Sequence, residues 1–269
     1  MSYTIEILGS NATAPSASGP ASGYLVRTPT GNILVDAGPG VMAEYCARHE
    51  LDQLRAIVVT HLHADHCLDL MALAYRWTFP TLLPRIPLYI PRGELPRLRA
   101  FDEVFGIPSL PSMARPIETA WEVIELGMSG ELEDGFPERT ATQVTLRSFR
   151  AHHAVPAAAL RFELANEGTD SRVVAFSGDT GYSPEVVEAA RAADIFVCEA
   201  TYLEADDQAL THHGHLTATL AGDLACEAAV KHLVLAHFST DDMRGPAVER
   251  ASEAFTGRVT AAERGAVYR

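Results

Sequence analysis

The hydrophobic pattern divides the chain into a first part rich in short apolar runs and a last part where such runs alternate with helical segments. Runs that carry β-branched or aromatic side chains and end at Gly, Pro or other turn residues predict β-strands. The predicted strands are Tyr3–Leu8, Gly23–Thr28, Ile33–Asp36, Ala56–Val59, Leu88–Ile90, Val123–Leu126, Val144–Phe149, Ala158–Leu164, Val173–Ser177, Ile195–Cys198 and Leu233–Ala236. We therefore expect β-structure in both halves of the chain.

Segments with apolar residues three and four positions apart predict helices between and after these strands. The predicted helices are Val41–His49, Leu68–Trp77, a helix that follows Pro96, Pro184–Ala192, Thr217–Ala229 and Pro246–Phe255. Mixed β-structure followed by alternating strands and helices predicts an α/β fold with two sheets covered by helices. We expect one domain over residues 1–269, because the sequence shows no repeat and no low-complexity linker.

The composition agrees with one large core. The chain has 269 residues, of which 47% are hydrophobic, and it has no apolar run long enough to span a bilayer. Its N-terminal stretch alternates like a strand and lacks the basic and apolar regions of a signal peptide. The four cysteines are scattered and form no C-x-x-C pair, which is typical of free thiols in a reducing compartment. We therefore expect a cytoplasmic protein.

The net charge of −14 bears on the kind of partner. An acidic protein repels polyanions over long range, whereas RNA-binding enzymes usually carry a basic surface. The segment Ala72–Glu118 is richer in arginine, which fits either an ordinary solvated surface or a rim for anionic substrates. The charge therefore disfavours a large RNA as the partner.

Four side chains that bind metals well fall within six residues, His61-Leu62-His63-Ala64-Asp65-His66. They follow the predicted strand Ala56–Val59, and a helix is expected to begin near Leu68. Imidazole nitrogens and carboxylate oxygens are the ligands of zinc and similar divalent ions. At the carboxyl end of a strand they stand where open α/β sheets place their sites. The motif therefore predicts a metal site.

Other polar residues come directly after apolar strands in the same way. His152 and His153 follow one predicted strand, and Asp179, Glu199 and His237 follow three others. Any one of them alone has an ordinary explanation; Asp179, for example, suits an Asx-turn. Their repeated placement together with the histidine motif predicts that they complete the same metal site.

These motifs resemble the metallo-β-lactamase fold superfamily. The resemblance rests on His61–His66 and the turn Gly178-Asp179-Thr180, and it extends over nearly the whole chain. Glu199-Ala200-Thr201, His215-Leu216-Thr217 and Ala236-His237-Phe238-Ser239 are similar to the ribonuclease Z branch of phosphodiesterases, which usually has serine where Leu216 stands. The resemblance implies a four-layer αββα sandwich.

The resemblance also implies a site for two divalent metal ions, with zinc as the default and manganese or iron as alternatives. Histidines and aspartates supply the ligands. The implied ligands are His61, His63 and His153 for one ion, Asp65, His66 and His237 for the other, and Asp179 as a bridge between them. His153 fits the spacing of the branch better than His152. His152 is expected to lie behind the ligands or at the surface.

The implied chemistry is the attack of a metal-activated water on a phosphate ester. Asp65 would orient that water as well as bind metal. His215 would protonate the leaving group and Glu199 would hold it, since a neutral-pKa imidazole suits a general acid. Each residue also has an alternative interpretation: His215 as a helix-start residue in a histidine-rich loop, and Glu199 as a structural acid at a strand end.

The substrate is expected to be a small phosphodiester such as a cyclic nucleotide. Most transfer-RNA-processing members of the branch carry a long arm between His153 and Asp179, where this chain has two predicted strands and the polar turn 166–168. The segments Ser18–Val26 and Cys67–Leu70 are similar to a bacterial subgroup without the arm, which includes cyclic-nucleotide phosphodiesterases.

Three alternatives stay open. The first is transfer-RNA 3′ processing, the second is lactone or thioester hydrolysis on the same scaffold, and the third is a non-catalytic metal-binding protein. Lactone and thioester hydrolases do not need the pair Glu199 and His215, so this pair favours phosphate chemistry. A homodimer is expected, because related enzymes often form one.

Overall fold

A computed structural model describes residues 3–140, 143–165 and 171–269, without the side chains of residues 137 and 138. Within these residues, fourteen strands form two sheets of seven. The strands of the first sheet are β1 (Thr4–Gly9), β2 (Gly23–Thr28), β3 (Gly31–Val35), β4 (Leu54–Val58), β5 (Ile86–Pro91), β6 (Trp121–Leu126) and β14 (Val267–Tyr268). Their order is β14-β1-β2-β3-β4-β5-β6, antiparallel from β14 to β3 and parallel from β3 to β6.

The second sheet repeats this plan. Its strands are β7 (Ser129–Leu132), β8 (Val144–Arg150), β9 (Ala158–Leu164), β10 (Arg172–Phe176), β11 (Ile195–Glu199), β12 (His232–Ala236) and β13 (Arg258–Ala261). Their order is β13-β12-β11-β10-β9-β8-β7, antiparallel from β7 to β10 and parallel from β10 to β13. Each sheet therefore offers a set of parallel strands whose carboxyl ends share one edge.

Helices cover the outer face of each sheet. The α-helices of the described residues are α1 (Val41–Cys46), α2 (Ala64–Cys67), α3 (Asp69–Thr78), α4 (Leu95–Phe105), α5 (Pro116–Ala120), α6 (Phe136–Thr140), α7 (Pro184–Ala190), α8 (Ala218–Glu227) and α9 (Arg244–Ala254). Buried residues of α1, α3, α4 and α5 pack on the first sheet, and those of α7, α8 and α9 pack on the second. A π-helical segment, Gln208–His213, precedes α8.

The main core lies between the two sheets. Alternate residues of a strand point to opposite faces, so Ile5 and Ile7 of β1 enter this inner core while Leu8 faces the helices. Phe162 and Phe176 of the second sheet meet them from the other side, with ring centroids 5.8 Å apart. The implied four-layer αββα sandwich is confirmed.

Several predicted boundaries are corrected by local chemistry. Asp65 and His66 lie on the short helix α2, whereas the sequence pattern predicted a loop up to Leu68. Thr217 caps α8 rather than starting it, because its hydroxyl accepts a hydrogen bond from the Leu220 amide at 3.2 Å. Asp36 lies beyond β3 with a φ of 60°. The predicted polar turn 166–168 lies outside the described residues.

Other features bear on the predicted environment. All four cysteines are free thiols, and Cys67 is buried in the core between the first sheet and its helices rather than facing the histidine motif. Among the residues that the structure describes, no helix has the length and apolar character to cross a membrane.

Candidate metal centre

Polar residues that follow the parallel strands of both sheets converge at one edge of the sandwich. Asp36 and His61 follow β3 and β4 of the first sheet, and Asp179 and His237 follow β10 and β12 of the second. Glu199 is the last residue of β11. All five side chains are buried. The rule that sites form at strand carboxyl ends therefore operates in both sheets at once.

Three histidines, which we call the outer cluster, form one side of this site: His61, His63 and His153. The Nδ1 atom of His63 lies 3.1 Å from His61 Nε2 and 3.1 Å from His153 Nε2. His61 is fully buried, whereas His63 and His153 are half-buried. The outer cluster therefore has a buried floor and a side that is open to solvent.

Asp65, His66 and His237 form the other side, which we call the inner cluster. His66 Nε2 lies 3.2 Å from His237 Nε2, and His237 Nε2 lies 3.2 Å from Asp65 Oδ2. All three residues are buried. The backbone amide of Thr13 donates to Asp65 Oδ2 at 2.7 Å and so fixes this carboxylate from outside.

Asp179 stands between the two clusters. Its Oδ1 atom lies 3.2 Å from His66 Nε2, and its Oδ2 atom lies 3.3 Å from His237 Nε2 and 3.7 Å from His61 Nε2. One carboxylate thus touches both clusters, and each of its oxygens faces imidazole nitrogens.

The donor set fits divalent cations. The ligand atoms of each cluster lie within 4.8 Å of one another. Tetrahedral zinc with nitrogen ligands at about 2.0–2.1 Å would put those atoms roughly 3.3–3.4 Å apart. The nitrogen–nitrogen separations of 3.1 and 3.2 Å are close to that value. Lone pairs of nitrogen atoms this close together repel one another unless a proton or a cation lies between them. The arrangement therefore suits a bound ion.

The hydrogen bonds on the far side of the rings point to the same fit. His66 Nδ1 lies 2.7 Å from Asp36, His153 Nδ1 lies 2.9 Å from the Gly214 carbonyl, and His237 Nδ1 lies 2.9 Å from the Thr201 hydroxyl. An acceptor at Nδ1 holds the proton there and leaves the Nε2 lone pair facing the cluster. Three of the candidate ligands therefore present the nitrogen that a metal requires.

Asp36 is one site residue that the sequence pattern does not predict. Besides His66, it accepts hydrogen bonds from the Thr60 amide at 2.7 Å and from the Thr60 hydroxyl. The signal was available, because Asp36 follows the apolar run Ile33–Val35 just as Asp179 follows its own strand. The sequence pattern instead predicts Asp36 as the last residue of the strand Ile33–Asp36.

Backbone strain marks the same place. Asp36 and His237 adopt φ values of 60° and 58°, in the left-handed region that non-glycine residues seldom enter. Each lies immediately after a central parallel strand, where the chain must turn its side chain toward the clusters. Such strain persists where the surrounding structure imposes it, most often at functional sites.

Electrostatics favour a charged inner cluster. Burial opposes a charge on His66, yet the Asp179 and Asp36 carboxylates together hold its pKa well above the ordinary value. Burial likewise opposes a charge on Asp179, but the neighbouring histidines, with His237 first, hold its pKa well below the usual range. Without a cation, protons on the histidines must balance these carboxylates.

The outer cluster behaves in the opposite way. Burial lowers the pKa of His61, and the nearby His66 lowers it further. Burial and the adjacent His153 bring the pKa of His63 to about 4, and burial lowers the pKa of His153. These imidazoles are therefore neutral near pH 7, which is the form that binds metal ions.

His215 and Glu199 form a pair beside both clusters. His215 Nδ1 lies 3.0 Å from Glu199 Oε1, and Glu199 also accepts hydrogen bonds from the amides of Thr180 and Leu216. Burial opposes a charge on His215, but the hydrogen bond to Glu199 and the nearby negative charges, that of Glu199 first, together outweigh burial and raise the pKa of His215. The Thr201 hydroxyl donates to Glu199, which links Glu199 to His237 as well.

The neighbouring histidines occupy different positions. His152 points away from the clusters, and its Nε2 atom lies 2.7 Å from the Thr211 carbonyl. The structure thus brings His153, and not His152, to the outer cluster. His213 was not among the predicted site residues, yet its ring contacts those of His63, His153 and His215.

This fold with its histidine and aspartate clusters defines a hydrolase of the metallo-β-lactamase type. The model of the beta-lactamase superfamily domain matches residues 31–238, and the chain belongs to that family.

Relatives of the chain define its branch more narrowly. An uncharacterised protein of Mycobacterium leprae is 30% identical over 98% of this chain and 87% of its own length. A ribonuclease Z of Streptomyces avermitilis is 30% identical over 96% of this chain and 94% of its own length. The crystal structure of the metallo-beta-lactamase fold protein YhfI from Bacillus subtilis is similar with a TM-score of 0.81 and 21% identity, over the whole of both chains. The predicted ribonuclease Z-like branch is confirmed.

Proposed function

We propose that this chain, as one domain over residues 1–269, is a dinuclear-metal phosphodiesterase that hydrolyses a small phosphodiester such as a cyclic nucleotide. The observation that carries the proposal is the buried pair of His215 and Glu199 beside two clusters of metal-binding side chains. A general acid is needed where the leaving group is an alkoxide, as in phosphodiester cleavage.

The two cations would be held by the outer and inner clusters, with Asp179 shared. Zinc is the default for histidine-rich ligation, and the carboxylates also suit manganese or iron. When bound, the ions would lower the pKa of a water molecule and draw negative charge from the phosphoryl oxygens.

Asp65 would both bind the inner cation and orient the attacking water. Its Oδ2 atom is held by the Thr13 amide and lies beside His237. A carboxylate fixed on two sides keeps a constant direction during the reaction, which a loop side chain free to rotate would not.

His215 would protonate the leaving oxygen. Because Glu199 holds its Nδ1 atom, the proton to be transferred lies on Nε2. Glu199 raises the pKa of His215 against the effect of burial, so the ring stays protonated closer to neutral pH. Glu199 is itself positioned by three hydrogen-bond donors, which makes it a positioning residue.

The segment between His153 and Asp179 favours a small substrate over transfer RNA. From His153 to Asp179 the described residues form β9 and β10, joined as an antiparallel pair, with no long arm among them. The net charge of −14 also opposes a polyanion. Transfer-RNA 3′ processing stays the second candidate because a ribonuclease Z is among the relatives. A homodimer and a cytoplasmic location remain predictions from the sequence.

The proposal is tested with the purified protein loaded with zinc or manganese. We expect turnover of bis-p-nitrophenyl phosphate that a chelator abolishes, and little turnover of lactone and thioester panels. Cleavage of lactones without cleavage of phosphodiesters would exclude the proposed chemistry. A second assay compares cyclic AMP with precursor transfer RNA, and a preference for the RNA would overturn the substrate assignment.

A further inference from the structure

The π-helical segment Gln208–His213 lies over the outer cluster and is fixed to it. The amide of Ala154 donates to the His213 carbonyl at 3.1 Å, and the next carbonyl, that of Gly214, lies 2.9 Å from His153 Nδ1. The segment is thus attached to a candidate metal ligand and to the residue after it, so the position of its last residues follows that of the outer cluster.

The turn at the end of this segment requires glycine. Gly214 has a φ of 83°, and a Cβ atom placed there would lie 2.2 Å from the His152 carbonyl oxygen. Only glycine tolerates both conditions. The turn separates His213, which is exposed, from His215, which is buried. Two imidazoles two residues apart therefore reach the site from different depths.

His213 lies at the open side of the site. Its ring is nearly parallel to that of His63, at 14° and 6.4 Å between centroids, and it lies 5.5 Å from the ring of His153. The ring of His215, the candidate general acid, is 4.9 Å away. His213 thus contacts both the half-buried ligands of the outer cluster and the group that would protonate the leaving oxygen.

We propose that His213 is a substrate-contacting residue that donates an N–H hydrogen bond to a phosphoryl oxygen of the bound phosphate ester. The proposal rests on the proposed function, since it assumes that a phosphate group enters this site. A neutral imidazole always carries one N–H donor, so the contact does not depend on the protonation state of His213. Its exposed position leaves it free to meet a ligand that enters from solvent.

A donor of this kind acts on binding more than on the chemical step. It contacts the phosphate before and during the reaction, so its loss weakens both states alike and appears in KM rather than kcat. A single hydrogen bond to a charged oxygen corresponds to about a tenfold change in affinity. A merely structural histidine would instead change kcat, metal content or stability.

The test compares His213→Ala with His212→Ala, the neighbouring exposed histidine of the same segment. We expect His213→Ala to raise the KM for bis-p-nitrophenyl phosphate and the inhibition constant of inorganic phosphate about tenfold, with kcat within twofold and metal content unchanged. His212→Ala should leave all four quantities unchanged. His213→Phe should behave like His213→Ala, whereas His213→Asn, which keeps an N–H donor, should recover part of the affinity.

The test of His213 can be separated from the test of the proposed function. If the wild-type protein cleaves no phosphodiester, calorimetry of inorganic phosphate binding to the metal-loaded protein still decides the role of His213. Weaker phosphate binding in His213→Ala but not in His212→Ala supports the role. Equal binding in the two variants, or no phosphate binding by the wild-type protein, overturns it, as does a loss of kcat or metal in His213→Ala.

Discussion

The inner and outer clusters use similar side chains in opposite environments. In the inner cluster, Asp65, His66 and His237 are buried, and the carboxylate of Asp36 hydrogen-bonds the Nδ1 side of the His66 ring. In the outer cluster, His63 and His153 are half-buried, and the group that hydrogen-bonds His153 Nδ1 is a neutral one, the Gly214 carbonyl. One cluster is thus rich in negative charge and closed, and the other is neutral and open.

This difference indicates that the two clusters have different roles. A carboxylate behind a histidine makes that histidine a stronger ligand, and buried carboxylates attract a cation strongly. The inner cluster is therefore expected to retain its cation more tightly. The outer cluster, with an open side that faces His213 and His215, is the side from which substrate would enter. Asp179 contacts both clusters.

The largest effect is expected from Asp179→Ala, because this residue touches both clusters. Its loss should release both cations and reduce kcat/KM by about three orders of magnitude or more. Elemental analysis and phosphodiester assays measure the two effects. Asp52→Ala, which removes an exposed carboxylate, serves as the control and should change neither. Full retention of two ions by Asp179→Ala would contradict the bridging role.

His215→Ala should separate chemistry from metal binding. We expect both cations to stay bound and turnover to fall by about 10²–10⁴-fold, the usual contribution of a general acid. Metal content and the kcat for cyclic AMP, which has an alkoxide leaving group, are measured on the same preparation. A variant that keeps the full rate would show that His215 is not the acid.

The pH dependence sharpens this prediction. The pKa of His215 is raised, so the ring stays protonated above the ordinary pKa of about 6.5 and loses its proton as the pH rises through the raised value. The wild-type kcat should therefore fall on the alkaline side, and His215→Ala should lack this fall. An identical alkaline profile in both proteins would assign the fall to another group.

Asp36→Asn tests the asymmetry between the clusters directly. The amide keeps an acceptor for Thr60 but removes the charge behind His66, so the affinity of the inner cluster for its cation should fall about 10–100-fold. Competition with a chelator measures the affinity of each cation. Binding at the outer cluster should change less than twofold. Equal weakening of both cations would mean that the two clusters do not differ as described.

The smallest effect is expected from His152→Ala. This side chain bonds the Thr211 carbonyl and points away from both clusters. Metal content should be unchanged, and kcat/KM should stay within about threefold, since loss of one hydrogen bond costs only about 0.5–1.5 kcal/mol. Loss of a cation in this variant would exchange the roles assigned to His152 and His153.

Sequence pattern predicted the buried parts of the fold better than its edges. The strands Gly23–Thr28 and Ala158–Leu164 match the structure residue for residue, because short apolar or alternating segments that are bounded by turn residues leave few alternatives. The edge strands β7, β13 and β14 and the short helix α5 were not predicted. They are short or largely exposed, so pairing with the rest of the fold, and not local periodicity, determines them.

The site likewise contains residues that the sequence pattern predicts and residues that only the tertiary structure reveals. The residues predicted as ligands could be found from motifs and strand ends, and the structure brings them together. Asp36 also follows an apolar strand, but its contact with His66 could not be read from the sequence, and His213 carries no strand-end signal at all. Asp36 acts through His66, thirty residues distant in sequence, and His213 reaches the site only because Gly214 turns the chain beside His153. Contacts of this kind arise from tertiary structure.

The most direct test of the account is anomalous diffraction from crystals of the zinc-loaded protein. We predict two zinc peaks, one among His61, His63 and His153 and the other among Asp65, His66 and His237, with Asp179 between them. Zinc peaks elsewhere in the molecule, or no peak at these clusters in crystals grown with excess zinc, would contradict the claim that the two clusters form a dinuclear centre.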